Sequence, residues 1–207
     1  LTRQGFYVIR MGFMAERPLE TDNPMIIDYP VSVRCHLKDR DFADAFLCAN
    51  CKFFLGDTSG IYLLASAFGI PIAYANMIPI CDNGRTEKDI FIPRKYWHVR
   101  SERYLPYRMI LERGWEEDTL TREQLESLSS DGIEIVENSA NEILDLAVEM
   151  NMRLDGTWIP EKEDGVLMDL YRHIFPDGHD MRDFPGLVGA RFLRENRGLL
   201  GPRSILV

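Results

Sequence analysis

Nowhere in the 207 residues is there a run of the ~18–20 apolar residues that a membrane span needs. No basic stretch followed by a short apolar one marks a secretory signal, so a cytoplasmic protein without an integral membrane segment is expected. Cysteine is scarce, with four residues in all. Cys48-x-x-Cys51 has metal-ligand spacing, but no second C-x-x-C and no suitably spaced pair among the four histidines completes a zinc or redox site. No metal is therefore expected; Cys35, Cys48, Cys51 and Cys81 are expected as reduced thiols, with Cys48 and Cys51 on a helix turn entering the core as small hydrophobes. Positive charge is also short: 24 Lys and Arg against 33 Asp and Glu leave a net charge of −9. That balance opposes general binding to nucleic acid or anionic membrane, yet permits a local basic site for a phosphorylated ligand. Internal repeats and low-complexity segments are absent. So is an initiator Met: Leu1-Thr2-Arg3-Gln4-Gly5 before a strand-like run reads as a helix end with its glycine, and a longer protein is expected upstream.

What is present is a globular composition, 45% hydrophobic, enough for one domain with a real core. Its organising stretch runs from Asn50 to Asn76. Lys52 to Leu55 is an apolar run of strand length, and Gly56-Asp57-Thr58-Ser59-Gly60 is a turn. Ile61 to Phe68 has helical spacing, Gly69 and Pro71 stop it, and Ile72 to Ala75 is a second strand. The pattern predicts a parallel βαβ unit. Ligands in open α/β sheets bind beyond the carboxyl ends of strands, where a helix start presents unpaired N–H groups and a positive dipole end. A phosphate or pyrophosphate held by Gly56, Asp57, Thr58, Ser59 and Gly60 is one reading; a helix cap supplied by Asp57, Thr58 or Ser59 is the other. The turn is neither a Walker A loop nor a G-x-S-x-G elbow.

Phe6 to Met11 is a strand with Arg10 near its carboxyl end. A buried Arg needs an anionic partner, either Asp28 or Asp57 or a ligand phosphate. Met25 to Asp28 is a second strand, after a polar loop. Asp39-Arg40-Asp41 opens an amphipathic helix bearing Phe42, Ala45, Phe46 and Ala49; the D-x-D pattern also occurs at metal sites, but its place favours capping. Pro79 to Lys95 reads as a loop with a turn at Cys81-Asp82-Asn83-Gly84. Ile90 to Pro93 and the basic aromatic Arg94-Lys95-Tyr96-Trp97-His98 follow, either closing over a base or sugar or simply packing. Thr121-x-x-Gln124 and Ser139-x-x-Glu142 open helices, with a strand at Ile133 to Val136 between them. Further helices are expected at about Lys162 to Phe175 and Phe184 to Arg197. The simplest organisation is an α/β domain over 1–160 with a helical C-terminal extension over 161–207. His36, His98, His173 and His179 have no readable orienting carboxylate, and no catalytic residue is assigned.

Several segments together resemble a family of bacterial glycosyltransferases of the GT-B type. They are Val8-Ile9-Arg10-Met11-Gly12, Asp28-Tyr29, Leu47 to Gly60, Phe68-Gly69-Ile70-Pro71, Asn76-x-x-Pro79, Ile90 to Lys95, Gly132 to Asn138, Leu154-Asp155-Gly156-Thr157-Trp158 and Phe192 to Asn196. The resemblance covers almost the whole chain. It implies a Rossmann-like parallel sheet with flanking helices, the C-terminal donor-binding domain of the GT-B pair, with the N-terminal acceptor domain outside this chain. It also implies a nucleotide-sugar donor whose diphosphate meets Arg10, Thr58, Ser59 and Gly60, with Asn76, Arg94 and Lys95 as weaker base or sugar contacts. The departing diphosphate would be stabilised by cations and a helix start, and the base would come from the other domain. Two rivals stand beside it: a sugar-nucleotide epimerase of the same architecture, and a noncatalytic scaffold in surface-polysaccharide assembly.

Overall fold

Short strands of β-branched and aromatic residues alternate with helices, and the helix starts are marked by side chains that can accept backbone N–H bonds. A computed structural model of the chain describes residues 1–13, 15–57, 59–77, 86–115 and 121–201. By its internal contacts the chain divides into two units, Leu1–Phe54 with Ser59–Pro71, and Leu55–Thr58 with Ile72–Val207.

In the first unit Val8–Arg10 (β1) pairs in parallel with Ile26–Asp28 (β2), Arg10 opposite Asp28. A single turn, α1 (Tyr29–Ser32), leads towards α2 (Arg40–Asn50). Asp39 caps α2, its Oδ1 accepting the Phe42 N–H at 3.1 Å, so the capping reading of Asp39-Arg40-Asp41 is the one observed. β3 (Phe54–Gly56), of which Leu55 and Gly56 belong to the second unit, follows in the chain, and α3 (Ile61–Ala67) of the first unit packs on α2. Gly69 ends α3 with φ 72°, a left-handed turn that lets the Ile70 N–H reach back to the Ala65 carbonyl at 3.1 Å.

The stripe expected to face a core along α2 does not do so. Cys48 is its buried residue, whereas Phe42 and Phe46 are 66% and 54% exposed. With Ile9, Ile27, Val33 and Leu37 they line an open apolar groove of about 480 Å³. The physical reason is size: a two-stranded sheet offers too little surface to cover every apolar face around it. Cys48 and Cys51 lie at the carboxyl end of α2, where the dipole disfavours a thiolate. Burial pushes the Cys48 thiol up to about 11 and raises Cys51 as well, which suits packing rather than redox chemistry. Cys35, Cys48 and Cys51 are free thiols, and Cys81 lies outside the described residues.

The second unit holds the larger core. In chain order its elements are β4 (Ile72–Met77), β5 (Ile90–Pro93), β6 (Lys95–His98), β7 (Arg103–Tyr104), α4 (Tyr107–Glu112), α5 (Arg122–Ser130), β8 (Ile133–Val136), α6 (Ala140–Leu154), α7 (Asp164–Arg172), β9 (Leu187–Val188) and α8 (Ala190–Glu195). A four-stranded parallel sheet runs in the order β3-β4-β5-β9, and a small antiparallel sheet in the order β7-β6-β8. Within the segment read from sequence as loop and basic aromatic stretch, Ile90–Pro93 and Lys95–His98 are thus strands, while the turn expected at Cys81-Asp82-Asn83-Gly84 lies outside the described residues. Every residue of β5 is buried, as a central parallel strand must be, and such a run carries no alternation to announce it. The C-terminal segment from 161, expected to be helical, also contributes the edge strand β9.

Phe91 lies at the centre of this core, its ring 5.9 Å from Tyr171 and 5.4 Å from Phe184 in edge-on contacts. Tyr171 in turn meets Tyr107 and Phe175 at 6.2 and 5.8 Å. The crossing of β9 into α8 needs a residue without a side chain, because a Cβ on Gly189 would lie 3.0 Å from Ile92 Cγ2. A buried carboxylate fixes that crossing: Glu149 of α6 accepts the Ala190 N–H at 2.8 Å and pairs with Arg153 at 2.7 Å. Among the described residues no helix is long and apolar enough to cross a membrane.

Candidate functional site

In a parallel sheet the carboxyl ends of adjacent strands form the edge at which ligands are received. In the second unit β4 and β5 end side by side, Met77 opposite Pro93, and the Arg94 N–H donates to the Met77 carbonyl at 2.9 Å. The register shifts between Tyr74 and Met77, and within that shift Asn76 takes φ 56°. Asn tolerates this left-handed conformation at a cost of about 1 kcal/mol. Two reciprocal bonds hold it: Asn76 N–H to Asn138 Oδ1, and Asn138 N–H to Asn76 Oδ1, both 2.6 Å. Asn138 Nδ2 also donates to the Pro93 carbonyl at 3.0 Å, so one side chain ties the ends of both strands to the entrance of α6.

The α6 entrance carries its own anion. Ser139 and Glu142 form the capping box, with Glu142 Oε2 accepting the Ser139 N–H at 2.8 Å. Glu142 Oε1 accepts from Lys95 Nζ at 2.7 Å and from Asn196 Nδ2 at 3.3 Å. Burial raises the Glu142 carboxyl, but hydrogen bonds from Lys95 and Ser139 and the charge of Lys95 outweigh it and leave the group below its ordinary value. Lys95, a candidate base or sugar contact by sequence, is only 8% exposed and has its ammonium committed to Glu142.

Arg94 is arranged differently. Its Nη2 lies 3.1 Å from Glu137 Oε1, with the two side chains 26% and 70% exposed. Its Nε is buried with no hydrogen-bond partner among the described residues. The backbone on either side is fixed by the Met77 bond and by the Tyr107 hydroxyl, which donates to the Arg94 carbonyl at 3.2 Å.

Gly56 closes β3 and Asp57 follows it; Thr58 lies outside the described residues. Gly60 is the N-cap of α3, with no side chain to offer the helix. The Ser59 and Gly60 carbonyls accept the Tyr62 and Leu63 N–H groups at 3.2 Å each. Gly60 has an ordinary helical φ of −50°, and an added Cβ would meet no atom within 4 Å. Neither backbone conformation nor packing requires glycine there, and no side-chain bond caps the helix start.

Arg10, in the first unit, has a protein partner. Its Nε donates to Asp28 Oδ1 at 2.8 Å, and Nη1 and Nη2 both donate to the Arg17 carbonyl at 3.0 Å. Asp28 Oδ2 accepts the Leu19 N–H at 2.8 Å. Of the partners left open by sequence, Asp28 is the one found, and the pair clamps the loop between β1 and β2. His98 is likewise engaged locally, its Nδ1 accepting the Ser101 N–H at 3.1 Å. Among the described residues no group of three or more His, Cys, Asp or Glu side chains could hold a metal ion.

Sequence reasoning missed Asn138 and Glu137 as parts of this edge. The capping box at Ser139 was the available signal, because the residues just before a helix start lie nearest the strand ends it crosses. The class defined by these features is an α/β protein whose parallel sheet is flanked by helices, consistent with a Rossmann-like fold. Comparison with protein-family models, with curated proteins and with solved structures finds no match to this chain.

Proposed function

We propose that this chain is the donor-binding part of a GT-B-type glycosyltransferase, holding a nucleotide-diphosphate sugar for transfer in bacterial surface-polysaccharide or glycoconjugate synthesis. The observation that supports the reading is the order of elements along the chain, β3 followed by a glycine-flanked segment and then α3, whose N-cap Gly60 makes no side-chain cap bond. Backbone N–H groups and the positive end of a helix dipole stabilise charge developing on a departing diphosphate without a metal. The acceptor hydroxyl needs a base, which we assign to an acceptor domain outside this chain.

A second reading, a noncatalytic scaffold of the same architecture, draws support from Arg10, whose guanidinium is taken up by Asp28 and Arg17. Calorimetric titration with UDP, GDP, ADP, CMP and dTDP separates the two. The donor reading expects one nucleotide to bind, with affinity reduced by Gly60→Val, which adds bulk at the helix start, and by Ser59→Ala. Silence across the panel in a chain shown by circular dichroism to be folded would remove the donor reading and leave the scaffold.

A further inference from the structure

We infer that the apolar groove of the first unit is a self-association surface, at which two copies of this chain pair across a two-fold axis. Its floor is one face of the parallel β1–β2 pair, where Ile9 lies opposite Ile27. Parallel strands are stable with helices laid over both faces, and here α2 forms one wall of the groove and leaves the floor beside it open. Along that wall runs a ridge. The Phe42 and Phe46 rings, one helical turn apart, lie 6.2 Å from each other and are 66% and 54% exposed. A groove and an aromatic ridge on the same face are what an isologous contact requires, because the ridge of each copy enters the groove of the other.

Charge selects a second copy as the occupant. The first unit holds seven Lys and Arg and seven Asp and Glu, so the net charge of −9 resides wholly in the second. Like-charged chains repel, and the neutral unit is where two copies can meet against the least repulsion. An anionic membrane or a strongly charged peptide calls for an excess of the opposite sign, whereas the groove carries one cation and one anion, Lys38 and Asp39. Lys38 makes no hydrogen bond or ion pair among the described residues, and Asp39 spends one oxygen on the Phe42 N–H. A two-fold axis sets each Lys38 against Asp39 of the partner subunit. The size is also adequate. With ~200 Å² per phenylalanine, Phe42 and Phe46 expose on the order of 250 Å². That is about half of the apolar area on one side of a standard interface, which buries ~800 Å² per partner.

The test is sedimentation velocity of the full chain over roughly 1–200 μM at low ionic strength, where a monomer–dimer equilibrium with a Kd of about 1–100 μM is expected. Phe42→Ser combined with Phe46→Ser should weaken association by about a hundredfold or more. Lys38→Glu sets like charges against each other and should weaken it by about fivefold at low salt and by less at high salt. Amide exchange across β2, α1 and α2 should slow as the dimer fills. In dilute solution, below the Kd, all variants should melt with the unaltered chain, since there the rings stand in water as the structure has them. A chain that stays monomeric at the top of the range overturns the inference. A dimer that the double phenylalanine variant leaves intact does so too, because the contact would then lie elsewhere. Early melting of that variant even in dilute solution would mean that the groove is covered from within the chain, which also overturns it. Co-sedimentation of the dilute chain with vesicles of phosphatidylglycerol and phosphatidylcholine, lost in the same variant, would give the groove to a membrane surface instead.

Discussion

The two units handle apolar surface in opposite ways. The first leaves Tyr7, Phe13, Phe42 and Phe46 between 54% and 75% exposed, the last two lining an open groove. The second seals Tyr74, Phe91, Tyr96, Tyr107 and Tyr171 to 1% exposure or less. Aromatic content does not explain the difference, since the first unit is the richer of the two. Sheet size does: two strands present one small face, whereas a larger parallel sheet flanked by helices closes over its rings from both sides. The lesson is that an aromatic stripe at helical spacing reports a capacity for burial, and the partner surface decides whether burial happens. The second unit is accordingly expected to exchange its amide hydrogens more slowly than the first.

The strongest way to break that contrast is to hollow the sealed core. Phe91→Ala is expected to cost about 4 kcal/mol, lowering the denaturant midpoint and accelerating exchange throughout β4, β5 and α7. If exchange rose only near residue 91, the second unit would not be one cooperative core.

Next in size is the buried carboxylate under α8. Glu149→Ala strands the Ala190 N–H and Arg153, with an expected loss of about 3 kcal/mol in urea unfolding. Its titration has a definite sign. Burial outweighs Arg153 and the Ala190 N–H and raises the Glu149 carboxyl above 4.5. The folded state therefore keeps a proton that the unfolded chain has lost, and stability falls as pH rises through the interval above 4.5. Glu142 is lowered, so its contribution is present above 4.5 and is lost as pH falls below that value through its folded pKa. Urea midpoints measured across pH should show the alkaline-side loss disappear in Glu149→Gln and the acid-side loss shrink in Lys95→Met.

In the first unit effects should be smaller. Arg10→Ala frees the loop between β1 and β2 and is expected to cost about 1–2 kcal/mol, read as faster exchange at Leu19. Unchanged exchange there would mean that the clamp holds nothing. Smallest of all, Phe42→Ser and Phe46→Ser should shift the thermal midpoint by the equivalent of about 0.5 kcal/mol or less, as exposed positions do. A large loss would show that the groove is covered in solution.

Local features were legible in the sequence and distant ones were not. Both capping boxes, Thr121 with Gln124 and Ser139 with Glu142, stand where three-residue spacing puts them. The strand at Phe54–Gly56 and the helix at Ile61–Ala67 were readable for the same reason. β5 was not, because four buried residues that follow a turn signal and end in proline have no period to detect. At the site, the glycines of the turn could be read, but the Asn76–Asn138 link joins residues 62 apart and depends on a crossing that no spacing encodes. Arg10 showed the limit most plainly. Its need for an anion was readable, while the choice between Asp28 and a ligand was decided by the opposite residue on β2.

The placement of β9 has a consequence for how the protein is made. Ile90 pairs with Leu187 and Phe91 with Val188, so a strand already made waits for a partner that leaves the ribosome 97 residues later. At typical elongation rates that wait is roughly 5–20 s. Throughout it, Ile90-Phe91-Ile92 is an apolar strand with one unclosed edge, the kind of segment that chaperones shield and that pairs wrongly when they do not.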